Sequence, residues 1–158
     1  MVKERNLIRI DDAKFIYQTN FSGDPRRDRF GSDARKANIT IPDINQALAL
    51  RDAGFNVKET KPREDEEEGF VPTFFVPINV GYDSPWPPKI YLVSGDNVEP
   101  RLLDEESVGD IDDCYVMNVN VILNPYYNPK TGKRSLYVRT MYVEQDISDD
   151  PYAARYRR

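Results

Sequence analysis

Several groups of side chains have the types and spacing to meet a polyanion. Arg26, Arg27, Arg29, Arg35 and Lys36 fall close together, with Phe21 and Phe30 interleaved. Lys130, Lys133 and Arg134 stand beside Tyr126 and Tyr127, and Lys58, Lys61 and Arg63 form a third group. Trp86, the single tryptophan, lies in the run Pro85-Trp86-Pro87-Pro88. Cations that follow a phosphate backbone, with aromatic faces on which bases stack, are what sequence-tolerant capture of a single strand needs, and each stacked base contributes about 1–3 kcal/mol. Taken singly these residues are ordinary: strand tyrosines pack in cores, loop arginines are solvated, and a tryptophan among prolines makes a packed corner. Their joint occurrence carries the reading.

Catalytic templates fit badly. The chain has no histidine, which removes the commonest general base and metal ligand. There is no Gly-rich phosphate loop. The lone Cys114 excludes an internal disulfide and a dithiol motif, and it reads as a small core residue at the start of a strand. Asp43 followed by Glu59-Thr60-Lys61 matches in letters the Asp plus Glu-x-Lys pattern of metal-dependent nucleases. Such a site wants its carboxylates on paired strands, whereas a helix is expected between these two. No enzymatic activity, metal or cofactor is expected.

The 158 residues hold 22 basic and 27 acidic side chains, a net charge of −5. That length suits a single domain, 1–158, with a core of its own. The charge is uneven. Residues 1–63 carry 13 basic and 9 acidic groups, residues 64–113 carry 2 and 14, and residues 114–158 carry 7 and 4. A nucleic acid can be held by one basic face, but the whole molecule does not draw it from afar. The run Glu64-Asp65-Glu66-Glu67-Glu68 reads as a solvated loop, or as a mask that competes for a basic groove. No apolar run approaches the roughly 20 residues of a membrane span, and the first ten residues are too charged for a signal peptide.

The elements that must position these groups are mostly strands. Leu7 to Phe21 reads as one long strand or two broken at Asp11-Asp12, and residues 24–33 as a loop. Ala37, Ile39 and Ile41 alternate as the buried face of a strand whose Lys36, Asn38 and Thr40 point outward. A helix follows, with Asp43 as cap, Gln46 completing a capping box, Gly54 as stop, and Ile44, Ala47 and Leu48 as its apolar stripe.

Phe74 to Val80 alternates as a strand that Pro77 demotes to an edge or a bulge. Ile90 to Val93 is a short buried strand. Leu103 to Ile111 reads as a helical turn or two, with Asp104 as cap and Leu103 against Val108. Tyr115–Leu123 and Leu136–Val143 are strands joined by a hairpin loop over 124–134. In the last strand Leu136/Val138/Tyr142 and Tyr137/Met141/Val143 are both admissible inward sets. About six strands and one packing helix, with long loops, suggest an all-β, OB-fold-like five- to six-stranded barrel; a β-sandwich competes.

Asn20-Phe21-Ser22-Gly23, Phe30-Gly31 before the Ala37 strand, Gly54-Phe55-Asn56-Val57-Lys58, and Pro62-Arg63 ahead of an acidic loop follow one another along the chain. Pro87-Pro88-Lys89-Ile90, Leu103-Asp104-Glu105-Glu106, Asn124-Pro125-Tyr126, and residues 137–143 followed by Asp150-Pro151-Tyr152 complete the series. In that order and spacing, from about Phe15 to Tyr156, the chain resembles a family of small bacteriophage single-stranded DNA-binding proteins with an OB-fold. The resemblance implies a binder of phage replication or recombination that acts in the cytoplasm of an infected host. Its partners would be single-stranded DNA, replication or recombination proteins of phage or host, and a second copy of the chain.

The expected interface comprises Arg26, Arg27, Arg29, Arg35, Lys36, Phe75, Trp86, Tyr126, Tyr127, Lys130, Lys133, Arg134, Tyr137 and Arg139, with Lys36, Asn38, Phe75, Tyr137 and Arg139 as the floor of a groove. Phage and bacterial single-strand binders often end in an acidic tail; here residues 145–158 read as a basic C-terminal tail on the strength of their closing Arg155, Arg157 and Arg158. Two rivals stay open: an acidic module that grips a host protein through its middle segment, and the metal-dependent nuclease.

Overall fold

The computed structural model describes residues 2–4, 6–62, 68–95 and 99–146. Arg63, the acidic run as far as Glu67, and the C-terminal residues from 147 onward lie outside the described residues, as do the landmarks at Arg63 and Asp150-Pro151-Tyr152. In chain order the elements are β1 (Val2–Lys3), β2 (Ile8–Ala13), β3 (Phe15–Asn20), β4 (Arg35–Thr40), α1 (Ile44–Asp52), β5 (Lys58–Glu59), β6 (Phe74–Val80), β7 (Lys89–Val93), β8 (Arg101–Leu103), β9 (Val116–Tyr127) and β10 (Arg134–Gln145). Two 3₁₀ turns, Pro25–Arg27 and Val108–Asp113, complete the set.

All ten strands belong to one sheet, which excludes the sandwich. Its spine runs β1-β9-β10-β6-β4-β3, antiparallel except where β10 meets β6 in parallel at Tyr137 and Asn79. The two ends of this path do not pair with each other. What joins them is the chain: β2 pairs with β9 (Ile8 opposite Leu123), β3 pairs with β4 (Phe15 opposite Ile39), and only Lys14 separates β2 from β3. The bend is pinned to β4, where the Thr40 N–H donates to the Lys14 carbonyl and the Lys14 N–H to Thr40 Oγ1, both at 2.9 Å. The five long segments therefore run in the order of an OB barrel, closed at one seam by covalent continuity rather than by a ladder. The extra strands relative to the expected five or six are short edges, of which β7 and β8 extend the sheet beside the second half of β10.

Several local expectations hold and several need correction. Ala37, Ile39 and Ile41 are buried as their alternation requires. Pro77 does not sit on an edge: β6 pairs with β4 along its length, and on its other side β5 meets Phe74 and Phe75 while β10 meets Asn79. Pro77 occupies the stretch between those two partners, where the ladder is already interrupted and a missing N–H costs least.

Both inward sets of β10 turn out half right. Leu136 and Val138 are buried, then a bulge between Val138 and Thr140 adds a residue and reverses the parity, so Met141 and Val143 are buried beyond it.

Asp43 caps α1, its carboxylate accepting from the Asn45 and Gln46 N–H groups. Gln46 does not complete a capping box; its Nε2 donates instead to the Arg9 carbonyl at 2.6 Å. Gly54, at φ +95°, ends the helix in a Schellman arrangement, with Gly54 N–H on Arg51 and Phe55 N–H on Leu50. The buried residues of α1 are Ala47 and Leu50, continued by Phe55, while Ile44 and Leu48 are exposed.

The hairpin loop is shorter than expected, because β9 runs on through Asn124 to Tyr127 and puts both tyrosines on a strand. The segment after β8 begins as an Asp104-capped turn with Leu103 and Val108 both buried, as the staple predicts, but it becomes a 3₁₀ turn. Cys114 is half-buried beside the core, and burial with nearby Asp110 and Asp113 pushes its thiol pKa up. Among the described residues no helix is long and apolar enough to cross a membrane.

Candidate nucleic-acid interface

The alternation that buries Ala37, Ile39, Val76, Ile78, Leu136 and Val138 turns Lys36, Asn38, Thr40, Pro77, Asn79 and Tyr137 to the outer side of the barrel wall. Register places Lys36 opposite Asn79, Asn38 opposite Pro77 and Asn79 opposite Tyr137, so these residues share one surface across β4, β6 and β10. Asn79 Nδ2 donates to the Leu136 carbonyl at 3.2 Å and ties two of the strands together. Tyr137 packs edge-on against Tyr126 of β9, with ring centroids 5.0 Å apart.

Phe75 is also on this side, yet it is buried, because Tyr17 stands edge-on to it at 5.3 Å. Alternation along β3 would turn Tyr17 inward with Phe15, Thr19 and Phe21. A bulge between Ile16 and Asn20, with Tyr17 at φ +63°, throws the ring outward instead and leaves it 63% exposed. A left-handed backbone at a bulky aromatic is unusual and costs energy that other contacts must offset. The exposed aromatic of this face is therefore Tyr17, which sequence patterning misses, with Phe75 as its support.

The loop 21–34 is held by two carboxylates. Asp112, from the second 3₁₀ turn, is nearly fully buried and accepts from Thr19 Oγ1 at 2.7 Å, Phe21 N at 2.9 Å and Ser22 N at 3.0 Å. Asp28 accepts from the Phe30 and Ser32 N–H groups, both at 2.9 Å, and from Lys36 Nζ at 2.7 Å.

Lys36 and these amides hold the Asp28 carboxyl at about 2, below the ordinary value near 3.9. Its stabilisation of the loop is thus complete above about pH 4 and is lost as pH falls through 2. Amide exchange at Phe30 and Ser32 should accelerate over that window relative to core amides, and Asp28→Asn should remove the dependence. An unchanged exchange pattern down to about pH 2 would contradict this role.

The loop's cations divide into two kinds. Arg27 Nε donates to the Thr19 carbonyl at 3.0 Å and lies 3.5 Å from Asp112, while Arg35 donates to the Phe21 carbonyl at 2.6 Å with its guanidinium over the Tyr82 ring. With Lys36 these two hold the loop in place. Arg26, paired with Asp24, projects into solvent, and Arg29 lies over the 86%-exposed Phe30 ring.

The hairpin loop repeats this division. Arg134 donates to the Ala53 carbonyl at the helix end, pairs with Glu4 at 3.0 Å and lies over Phe55 and Tyr127, which commits it to the fold. Lys130 and Lys133 are exposed and make no ion pair among the described residues. Lys133 lines a cleft of about 560 Å³ with Pro77 and Asn79.

The two loops flank the face from opposite ends. The first adjoins Arg35, opposite Val80 at the end of β6, and the second precedes Arg134 in β10, which runs parallel to β6. By this register Arg134 lies level with Val76, four residues before Val80, so the bases of the two loops stand about 13 Å apart along β6. The expected residues thus gather, with three exceptions, the first being Tyr127, which alternates with buried Leu123 and Pro125 and lies under Arg134 on the inner side. Trp86, 70% exposed, and Arg139, at the β10 bulge, line a separate pocket beyond Tyr137. Lys58 and Lys61 are exposed on and just after β5, without ion pairs among the described residues, and Asp43 is occupied as a helix cap. Among the described residues no three acidic or sulfur ligands gather as a metal site.

The chain matches the family model "Putative phage ssDNA-binding domain" over residues 1–157. It belongs to that family. The match spans every landmark that carries the resemblance in sequence. Among solved structures, the single-stranded DNA-binding protein from bacteriophage Enc34, truncated at its C-terminus, is similar with a TM-score of 0.53 and 12% identity, over 93% of this chain and 95% of that one. At that identity the likeness speaks for the fold, and it supports the all-β assignment for this member of the phage ssDNA-binding family. Among curated proteins none matches the sequence.

Proposed function

We propose that the chain binds single-stranded DNA along the outer face of β4, β6 and β10, without marked sequence preference and without catalysing a reaction. The observation that carries this reading is the placement of two cationic loops at opposite ends of one face bearing Tyr17, Tyr137 and Tyr126, in a member of the phage ssDNA-binding family. Arg26, Arg29, Lys130 and Lys133 meet phosphates, and the tyrosines stack on bases. A span of about 13 Å between the loop bases, with the loops reaching beyond it, suits the low end of OB-fold site sizes, about 4 nucleotides. The setting is phage replication or recombination in the host cytoplasm, with replication proteins as further partners and the whole of 1–158 acting as one domain.

The test is a titration with a single-stranded oligonucleotide and its duplex at several salt concentrations. Single-strand affinity should fall linearly in log salt, with a slope of about −0.7 per phosphate contacted. Substituting Arg26, Arg29, Lys130 and Lys133 together by Ala should flatten that slope by up to about 3. An unchanged slope would remove the loops from the interface. No binding to either form at low salt would defeat the reading and favour the acidic interaction module.

A further inference from the structure

The outward residues of β4 and β6 stand in three rows: Thr40 with Phe75, Asn38 with Pro77, and Lys36 with Asn79. Tyr17 stands over the first row and Tyr137 extends the third. The middle row continues onto β3 at Ile16, opposite Asn38, and all three of its residues are half-buried. The two flanking rows, four residues apart along β6, are separated by about 13 Å. The face is therefore a trough that crosses the strands, with Ile16, Asn38 and Pro77 as its floor and a tyrosine on each bank.

On the β6 side the trough runs out where the sheet has a gap. β5 pairs with β6 at Phe74 and Phe75, β10 meets it at Asn79, and the cleft of about 560 Å³ has Pro77 and Asn79 in its wall. Asn56 lines it from the β5 side and Lys133 from the β10 side. Lys58, two residues after Asn56, is opposite Phe75 in register and so shares the outer side with Phe75 and Tyr17. It is exposed, and neither it nor Lys133 makes an ion pair among the described residues. No acidic side chain among the described residues lines the cleft. An ammonium group on each side of a cleft without carboxylates favours an anion there. We propose that a DNA strand crosses β4 and β6 along the trough and leaves through this cleft, with Lys58 as a third phosphate anchor beside the two loops. This rests on the single-strand reading and deepens it by giving the strand a route. Phosphate contacts and stacking alone define that route, so it carries no preference among bases.

The test uses the full chain and an oligothymidylate of about 12 nucleotides. Lys58→Ala should weaken binding by about two- to fivefold and flatten the salt slope by about 0.7, the share of one phosphate. Lys89→Ala, at an exposed lysine where β7 joins the second half of β10, should change neither. Asn56→Glu sets a carboxylate in the cleft and should weaken binding at least as much as Lys58→Ala, whereas Asn56→Gln should bind as wild type does. Acetylation read by mass spectrometry should find Lys58 and Lys133 protected in the complex and Lys89 as reactive as in the free protein. A Lys58 that stays reactive in the complex, or a Lys58→Ala variant with the wild-type slope, overturns the route while the single-strand reading stands. So does protection of Lys89 equal to that of Lys58, which would run the strand along β10 instead. No binding of the oligonucleotide by the wild type at low salt overturns both.

Discussion

Asp112→Ala is expected to cost about 3–5 kcal/mol of stability, the range for breaking a buried charged network by removing one partner. Asp112 sits nearly fully buried, and its two oxygens gather the Thr19 hydroxyl, the Phe21 and Ser22 amides and the Arg27 guanidinium. Alanine strands all of these donors at once and leaves Arg27 without its counter-charge. For a chain of this size the melting temperature should drop by about 10 °C, measured by circular dichroism. Asp112→Asn, which keeps one acceptor, should lose less.

Gly109→Ala approaches the same junction from the other side, since a Cβ there would lie 2.8 Å from Ser22 Cβ and 3.0 Å from its Cα. It should lower stability while leaving the carboxylate intact. A melting temperature within about 2 °C of wild type for Asp112→Ala would show that the loop is anchored elsewhere.

The second large effect falls on binding. Tyr17→Gly removes the exposed ring and places the one residue type that accepts φ +63° without penalty. Relief of about 1–3 kcal/mol of backbone strain is offset by the greater freedom of glycine in the unfolded chain, about 0.5–1 kcal/mol, and by lost packing on Phe75. Stability should therefore stay close to wild type. Single-strand affinity should weaken by about 5- to 150-fold, the value of one stacked base, with the salt slope unchanged because no cation is touched. Tyr17→Phe should bind as wild type does. If the glycine variant kept its affinity, the strain at Tyr17 would have to be explained without DNA.

Where sequence and structure agree, a local pattern had one physical outcome. The Ala37-Ile39-Ile41 alternation, the Asp43 cap and the Gly54 stop each act within a few residues, and each is found. The all-β class and the cationic loops were legible for the same reason.

The misses come from choices that only tertiary partners make. Parity in β10 depends on a bulge that no residue type announces, and Pro77 is tolerated inside the sheet because β5 and β10 leave a gap there. Residue type also cannot say which arginine is spent on the fold. Arg27, Arg35 and Arg134 reach backbone carbonyls, whereas Arg26 and Arg29 a few positions away do not. The same limit hid Tyr17: its alternation said inward, and a reversal of backbone handedness put it outside. The position to which the proposed function assigns base stacking is thus the one where the local rule fails.

The seam at Lys14 also sets an order in time. β3, β4 and β6 can pair as soon as residues 15–80 have been synthesised. β2 has no partner until β9 appears, since Ile8 faces Leu123 more than a hundred positions later. The ring therefore shuts last, by docking the earliest-made segment of the barrel onto its final hairpin, and that long loop closure should set the pace of folding. Until then one rim of the meander stands open, so a chain stalled before residue 116 presents unpaired strand edges to its neighbours.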